Sequence, residues 1–302
     1  MKTTKRIILA ALLLVILGAG MIVTALARGN FNWKEMTTMS FVTKTYEVDD
    51  AFSGITVKDI ESCVRLVPSA DGRCRVSCPE EEDGSVNYTV SVTDGVLNVQ
   101  CHDERRWYQH IGIFFDVPEV EICLPEEEYQ QLAVSTVSGR IEVAEGLNFE
   151  EVSLESVSGS VHMYAQAEKA LKAESKSGRV TIENASPEQL NAKTSSGRIE
   201  LAHIRCGAAS ARSTAGRIEL TDVIAEKDLF VKNTSGSVNL DGCDAGGISI
   251  ETTSGAVKGT LLTDKIFMAS SSSGRVEIPR SNLGGDCEIT TTSGSIRIEI
   301  EE

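Results

Sequence analysis

The sequence predicts an all-β chain: a parallel β-solenoid of about nine coils of 19–20 residues, capped by a small N-terminal β region and preceded by one transmembrane helix. Three observations carry this. A Ser-Gly or Ala-Gly pair recurs through the C-terminal half, apolar residues alternate on both sides of each pair, and one uncharged stretch of 21 residues stands near the N-terminus. Aromatic residues make up only 5% of the chain and glycines number 25 of 302, which suits a repetitive β chain better than a helical enzyme.

The glycines of these pairs are Gly139, Gly159, Gly178, Gly197, Gly216, Gly236, Gly255, Gly274 and Gly294, always 19 or 20 residues apart. Seven and five residues before them the chain is apolar, as at Leu132 and Val134 or Leu190 and Ala192. Two and four residues after them it is apolar again, as at Ile141 and Val143 or Ile199 and Leu201. A period of two on each side means strand, and the change of parity at the glycine means a corner. A corner residue without Cβ is expected to take φ > 0. Such a unit cannot bury its own inner face, so the coils must stack, with like columns ~4.8 Å apart. The same parity puts the Ser/Thr column three before glycine (Thr136 to Thr291) and the Ser column one before it inside, as hydroxyl ladders. That placement argues against a flat, water-ordering hydroxyl face. The acidic ending Glu299–Glu302 is read as charge that blunts an open last edge.

Residues 37–131 are read as the capping β region, with 132–302 as the solenoid. Asp71-Gly72, Asp83-Gly84 and Asp94-Gly95 are hairpin signals within it. No internal repeat of the Ser-Gly kind covers 37–131, and the aromatic stretch 103–116 is its least regular part. If the first of these turns centres on Ala70-Asp71, Cys63 faces Cys78 across two strands. Two readings of that pair stand: a disulfide in an oxidising space, or two half-buried thiols. Cys206, Cys243 and Cys287 read as small apolar residues.

Residues 7–27 carry no charge, and as a helix they would span about 31 Å, the thickness of a bilayer core. Residues 1–6 hold Lys2, Lys5 and Arg6, which would keep the N-terminus cytoplasmic, and 28–36 form a linker. The rival reading is a cleaved signal peptide ending at Ala25-Leu26-Ala27. Either reading sends the bulk of the chain to the extracytoplasmic side of the cell membrane. With 29 basic against 44 acidic residues the net charge is −15, which excludes nucleic acid as a partner.

No catalytic, metal-ligand or cofactor-binding spacing is present, so neither an enzyme activity nor a cofactor is expected. One surface stands out. Arg179, Arg198 and Arg217 each follow a corner glycine and point outward, with Glu200 and Glu219 two residues along. Stacking would make them either a solvated Arg–Glu ladder or an envelope-binding face for a phosphate-bearing polymer. An N-terminal anchor, the opening Phe52-Ser53-Gly54-Ile55, the strand Ile122–Glu126 and the S-G-[RS]-[IV]-x-[ILV] repeats resemble the bacterial putative-adhesin family of unknown function with β-strand repeats. The resemblance implies an envelope-facing, non-enzymatic solenoid acting as a binding, adhesin-like or structural module, and it carries over no catalytic residue. By association it implies a partner-bound sensor subunit in an envelope-stress system as one alternative. A polysaccharide-acting β-helix enzyme is the other. The partners expected are the membrane, and an envelope polymer or a membrane protein.

Overall fold

The computed structural model describes Gly18, Gly20 and residues 41–105 and 118–301. Apart from Gly18 and Gly20, the 7–27 segment lies outside the described residues, as does most of the aromatic stretch 103–116. Among the described residues no helix is long and apolar enough to cross a membrane. The chain divides into two compact units, Met1–Ser40 with Arg105–Asp116, and Phe41–Glu104 with Val117–Glu302.

The second unit is built of strands. Its first part holds β1 (Phe41–Val48), β2 (Gly54–Lys58), β3 (Cys63–Pro68), β4 (Cys74–Glu81), β5 (Val86–Thr93), β6 (Val96–Asp103) and β7 (Glu119–Leu124). Then come β8 (Glu128–Thr136), β9 (Ile141–Val143), β10 (Asn148–Ser156), β11 (Val161–Met163), β12 (Gln166–Ser175), β13 (Val180–Glu183), β14 (Gln189–Thr194), β15 (Ile199–Cys206) and β16 (Ala208–Ser213). The last are β17 (Ile218–Asn233), β18 (Val238–Thr252), β19 (Val257–Leu261), β20 (Ile266–Ser271), β21 (Val276–Glu277), β22 (Asp286–Thr291) and β23 (Ile296–Ile300).

Pairing is parallel between equivalent columns of successive repeats, as the 19–20-residue period requires. Leu132 pairs with Val152, Val152 with Leu171 and Leu171 with Leu190. Across the corner Ile141 pairs with Val161, and Val161 with Val180. These apolar columns are buried, forming one continuous core along the stack.

The column three before glycine is also buried, and its chemistry is specific. Thr194 Oγ1 accepts the Gly197 N–H at 3.0 Å and donates to the Gly178 carbonyl of the preceding coil at 3.1 Å. Ser175 does the same with Gly178 N and Gly159 O. A group that both donates and accepts is needed, and Asn233 meets this with its amide: Oδ1 takes Gly236 N–H, and Nδ2 donates to Gly216 O. The Ser column one before glycine is different. It is exposed at the corner beside the residue two before glycine, because the chain turns before reaching glycine. The expectation that this column is inside is therefore corrected.

The corner glycines are required for a reason other than the expected one. None of the nine has positive φ. Instead a Cβ on any of them would run into a backbone carbonyl of the adjacent coil, a corner-glycine carbonyl in every case but Gly139: 1.8 Å from Gly178 O for Gly197, and 1.5 Å from Gly197 O for Gly216. The glycines form a column of backbone-to-backbone contact that admits no side chain.

The stack does not begin at residue 132. β2 pairs parallel with β8, and β3 with β9, so residues 54–68 form a further level of the same architecture. Ile55 and Val57 meet Leu132 and Val134, and the Ser62 carbonyl takes the place of a corner-glycine carbonyl, 1.7 Å from where a Gly139 Cβ would sit. On the far side β6 pairs with β2 and β7 with β3. Antiparallel strands then close this end, β5 on β6, β4 on β7 and β1 on β4. Asp94 and Gly95, both at positive φ, make the β5–β6 hairpin.

Because β7 lies between β3 and β4, the proposed Cys63–Cys78 hairpin contact does not form. The two residues sit two strands apart, roughly 10 Å by strand spacing, beyond disulfide reach. None of the eight cysteines is joined in a disulfide. Cys206, Cys243 and Cys287 are buried, and burial pushes their thiols up, to about 11, 11 and 12.

At the other end the order of the coils reverses. β22 and β23 pair with β18 and β19, while among the described residues β20 and β21 pair only with β22 and β23. The C-terminal strand is thus sandwiched, and the acidic ending does not guard the open edge. Gly284 (φ 89°) turns the chain back, and Gly285 passes so close to Gly246 that a Cβ would lie 1.8 Å from its carbonyl oxygen.

One buried acid sits at the N-terminal end. Asp59 occupies the hydroxyl column, accepting Ser62 N–H at 2.7 Å and the Tyr88 hydroxyl at 2.6 Å. Burial holds its carboxyl above the usual carboxylate range, against the lowering pull of Tyr88 and Ser62. A folded-state pKa above the unfolded ~3.9 means stability that is full below that value and is lost as pH rises through the folded pKa. Asp59→Asn keeps an acceptor for Ser62 and a donor for Tyr88 but does not ionise. Its melting temperature relative to the parent is expected to rise between pH 4 and pH 7. A constant difference across that range contradicts the assignment.

Candidate binding face

After the corner, outward side chains form charged ladders. Arg198 Nη1 lies 3.1 Å from Glu200 and 3.7 Å from Glu219. Arg179 lies 3.5 Å from Glu200, and Arg217 3.2 Å from Glu219. The three arginines read either as an Arg–Glu ladder or as an anion-binding face lie on successive levels, and each is within ion-pair distance of a carboxylate, which is the ladder arrangement. Arg275, Glu277, Arg297 and Glu299 form a similar chain further along. Such exposed pairs contribute ~0–1 kcal/mol each and leave little free positive charge.

Before the corner, the outward column four residues ahead of glycine behaves differently. Successive levels pair Glu155 with Glu174, Glu174 with Lys193, Lys193 with Arg212, Arg212 with Lys232 and Lys232 with Glu251. Lys193, Arg212 and Lys232 are exposed on consecutive levels, ~4.8 Å apart. Lys193 and Lys232 reach Glu174 at 3.8 Å and Glu251 at 2.7 Å. Arg212 has no ion-pair partner among the described residues. Its guanidinium instead lies over the Phe230 ring, 4.8 Å from the centroid, a cation–π contact.

On these same levels the residues two before glycine are Ser195, Thr214 and Thr234, all exposed, so hydroxyls run beside the cations. A groove of about 370 Å³ opens at the start of this strip, lined in part by Glu155, Glu174, Lys176, Lys193 and Ser195. The arrangement can bind an anionic group by a planar fork flanked by ammonium and hydroxyl donors. Reading the repeat only after each glycine misses it. The signal was present four positions ahead of glycine, as three consecutive basic residues in an otherwise acidic or neutral column.

Other polar groups are occupied in local structure. Asp222 holds His203 and Arg205 at 3.0 and 2.8 Å, and those contacts, His203 first, keep its carboxyl below the usual range. Asp244 pairs with the buried Lys265, which also donates to Ala245 O. Among the described residues no group of three or more His, Cys, Asp or Glu is placed to hold a metal ion.

A family model described as Toastrack DUF4097 matches residues 52–241 and, overlapping it, 186–302. No curated protein matches the chain. Among solved structures, one described as a "putative adhesin" from Bacteroides fragilis superposes with a TM-score of 0.51 at 16% identity, over 87% of this chain and 97% of its own. A "putative adhesin" from Parabacteroides distasonis gives 0.45 at 15% identity, over 74% and 96%. A "putative lipid binding protein" of that species gives 0.42 at 14% identity, over 85% and 96%. The first of these likenesses, at 16% identity, is one of fold alone.

Proposed function

The chain belongs to the Toastrack DUF4097 family, and from that premise we propose that it is a non-enzymatic, extracytoplasmic binding module of the bacterial cell envelope. In this reading 7–27 anchors it in the membrane with the N-terminus cytoplasmic, and the solenoid is on the extracytoplasmic side. The ligand class is an anionic envelope polymer, one bearing phosphate or carboxylate groups. The observation that supports this is the Lys193–Arg212–Lys232 column, because Arg212 is a cation held over the Phe230 ring with no ion-pair partner among the described residues. The Arg179–Arg198–Arg217 ladder is the weaker candidate, since Glu200 and Glu219 already occupy it.

Two triple variants separate the faces. Changing Lys193, Arg212 and Lys232 to Ser should weaken binding of the full chain to purified cell envelope at low salt by about tenfold or more, ~1.4 kcal/mol. Changing Arg179, Arg198 and Arg217 to Ser should leave it near the parent value. Equal binding by the first variant and the parent removes the proposed face. Release of reducing or unsaturated sugars from envelope polysaccharide by the parent would replace the reading with an enzymatic one.

A further inference from the structure

The two ends of the stack are finished differently. At the N-terminal end β5, β4 and β1 lie antiparallel across the last parallel strands. At the C-terminal end β20 and β21 each have a described partner on one side only, β22 and β23. Ile266 N–H donates to Gly285 O on the β22 side. In a parallel ladder alternate residues face alternate neighbours, so the N–H and C=O groups of Phe267, Ala269 and Ser271 face the open side.

Apolar exposure concentrates at the same place. Eight large apolar residues are exposed among the described residues, and five of them, Leu262, Ile266, Met268, Val276 and Leu283, lie on this coil or the loops that join it. Phe267, Ala269 and Ile278, whose equivalents in other coils are mostly sealed in the core, are only partly buried here. None of the usual devices that protect an edge is present on β20, whose sequence Ile266–Ser271 has no charge, proline or glycine.

We infer that this end is an interface with a second copy of the chain, the two solenoids meeting tail to tail. Charge favours that occupant. The whole chain carries −15, but residues 262–285 hold three basic and two acidic residues, so this end meets its own copy without the repulsion that the rest of the surface imposes. Geometry favours it too. A two-fold axis across the stacking direction sets every strand of one open end antiparallel to the strand it meets, and antiparallel pairing satisfies both edges at once. Head-to-tail growth is disfavoured because the opposite end presents strands that run against the parallel stack. The contact closes, giving a dimer rather than a fibre.

The test uses the full chain in non-ionic detergent, by sedimentation equilibrium. The parent should sediment with twice the protein mass of one chain. Ile266→Lys with Met268→Lys places charge on the outward side of β20 and should halve that mass while leaving the far-UV circular dichroism unchanged. Ala269→Pro, which removes an N–H from the open side and none from the β22 side, should do the same. Backbone amides of Phe267 and Ser271 should lose hydrogen-exchange protection in either variant, and that of Ala269 in the lysine variant, while the Ile266 amide bonded to Gly285 O keeps its own, which separates loss of the interface from local unfolding. A monomeric parent, an open-ended series of oligomers, or dimers that survive both variants would overturn the inference.

Discussion

Replacing Gly197 with alanine is expected to destabilise the whole stack although it adds a single methyl group. That methyl would lie 1.8 Å from the Gly178 carbonyl oxygen, where real Cβ contacts are essentially never under 3 Å. The clash is with backbone, which cannot rotate away as a side chain can. The two coils must separate locally, and separation also strains the Thr194 bracket that ties Gly197 N–H to Gly178 O. Overpacking of this kind costs ~1–3 kcal/mol or more. At ~2–4 °C of melting temperature per kcal/mol for a chain of this size, a fall of about 2–12 °C follows. Each coil touches only its neighbours, so the loss should appear as earlier opening at the centre of the stack. Thermal unfolding with hydrogen exchange reads both. A Gly197→Ala variant that melts with the parent would refute the glycine column as a close-contact device.

Asn233 is the second position where a small change should have a large effect. It is 2% exposed and uses both ends of its amide, accepting from Gly236 N and donating to Gly216 O. Asn233→Ser restores the hydroxyl found in the other coils and should cost less than ~1 kcal/mol. Asn233→Asp keeps the size but loses the donor, and it turns a buried carboxylate toward a carbonyl oxygen. An uncompensated buried charge costs ~3–5 kcal/mol. The introduced carboxyl would have its pKa raised in the fold, so the penalty is absent below the unfolded ~3.9 and grows as pH rises through the folded value. The Asp variant should therefore approach the Ser variant in melting temperature near pH 4 and fall well below it at pH 7. Equal stability of the two at pH 7 would show that the donor to Gly216 O contributes nothing.

The sequence by itself determined the period, the strands flanking each corner and the inward columns. A 19–20-residue repeat with parity changing at glycine has few solutions, and the parallel pairing of Leu132, Val152 and Leu171 is the one adopted. It also pointed to the Arg179–Arg198–Arg217 alignment, because stacked coils must align identical positions. Tertiary structure decided what depends on the neighbouring coil. The cause of the glycine column is one such feature, since φ is a property of one residue but the Gly178–Gly197 approach belongs to two coils. The choice between the two readings of that alignment is another, since the distances from Arg179 and Arg198 to Glu200 and Glu219 select the ion-pair ladder. The addition of residues 54–68 to the stack was hidden because Ser62 replaces the marker glycine and Asp59 replaces the hydroxyl residue, so pattern matching stops where backbone geometry continues. The placement of β7 between β3 and β4 and the reversed order of the last two coils were equally illegible. A strand's period specifies which face it buries but not which edge it joins, and only the close fit of Gly285 against Gly246 and the competing hydrogen bonds of the edges select the partner.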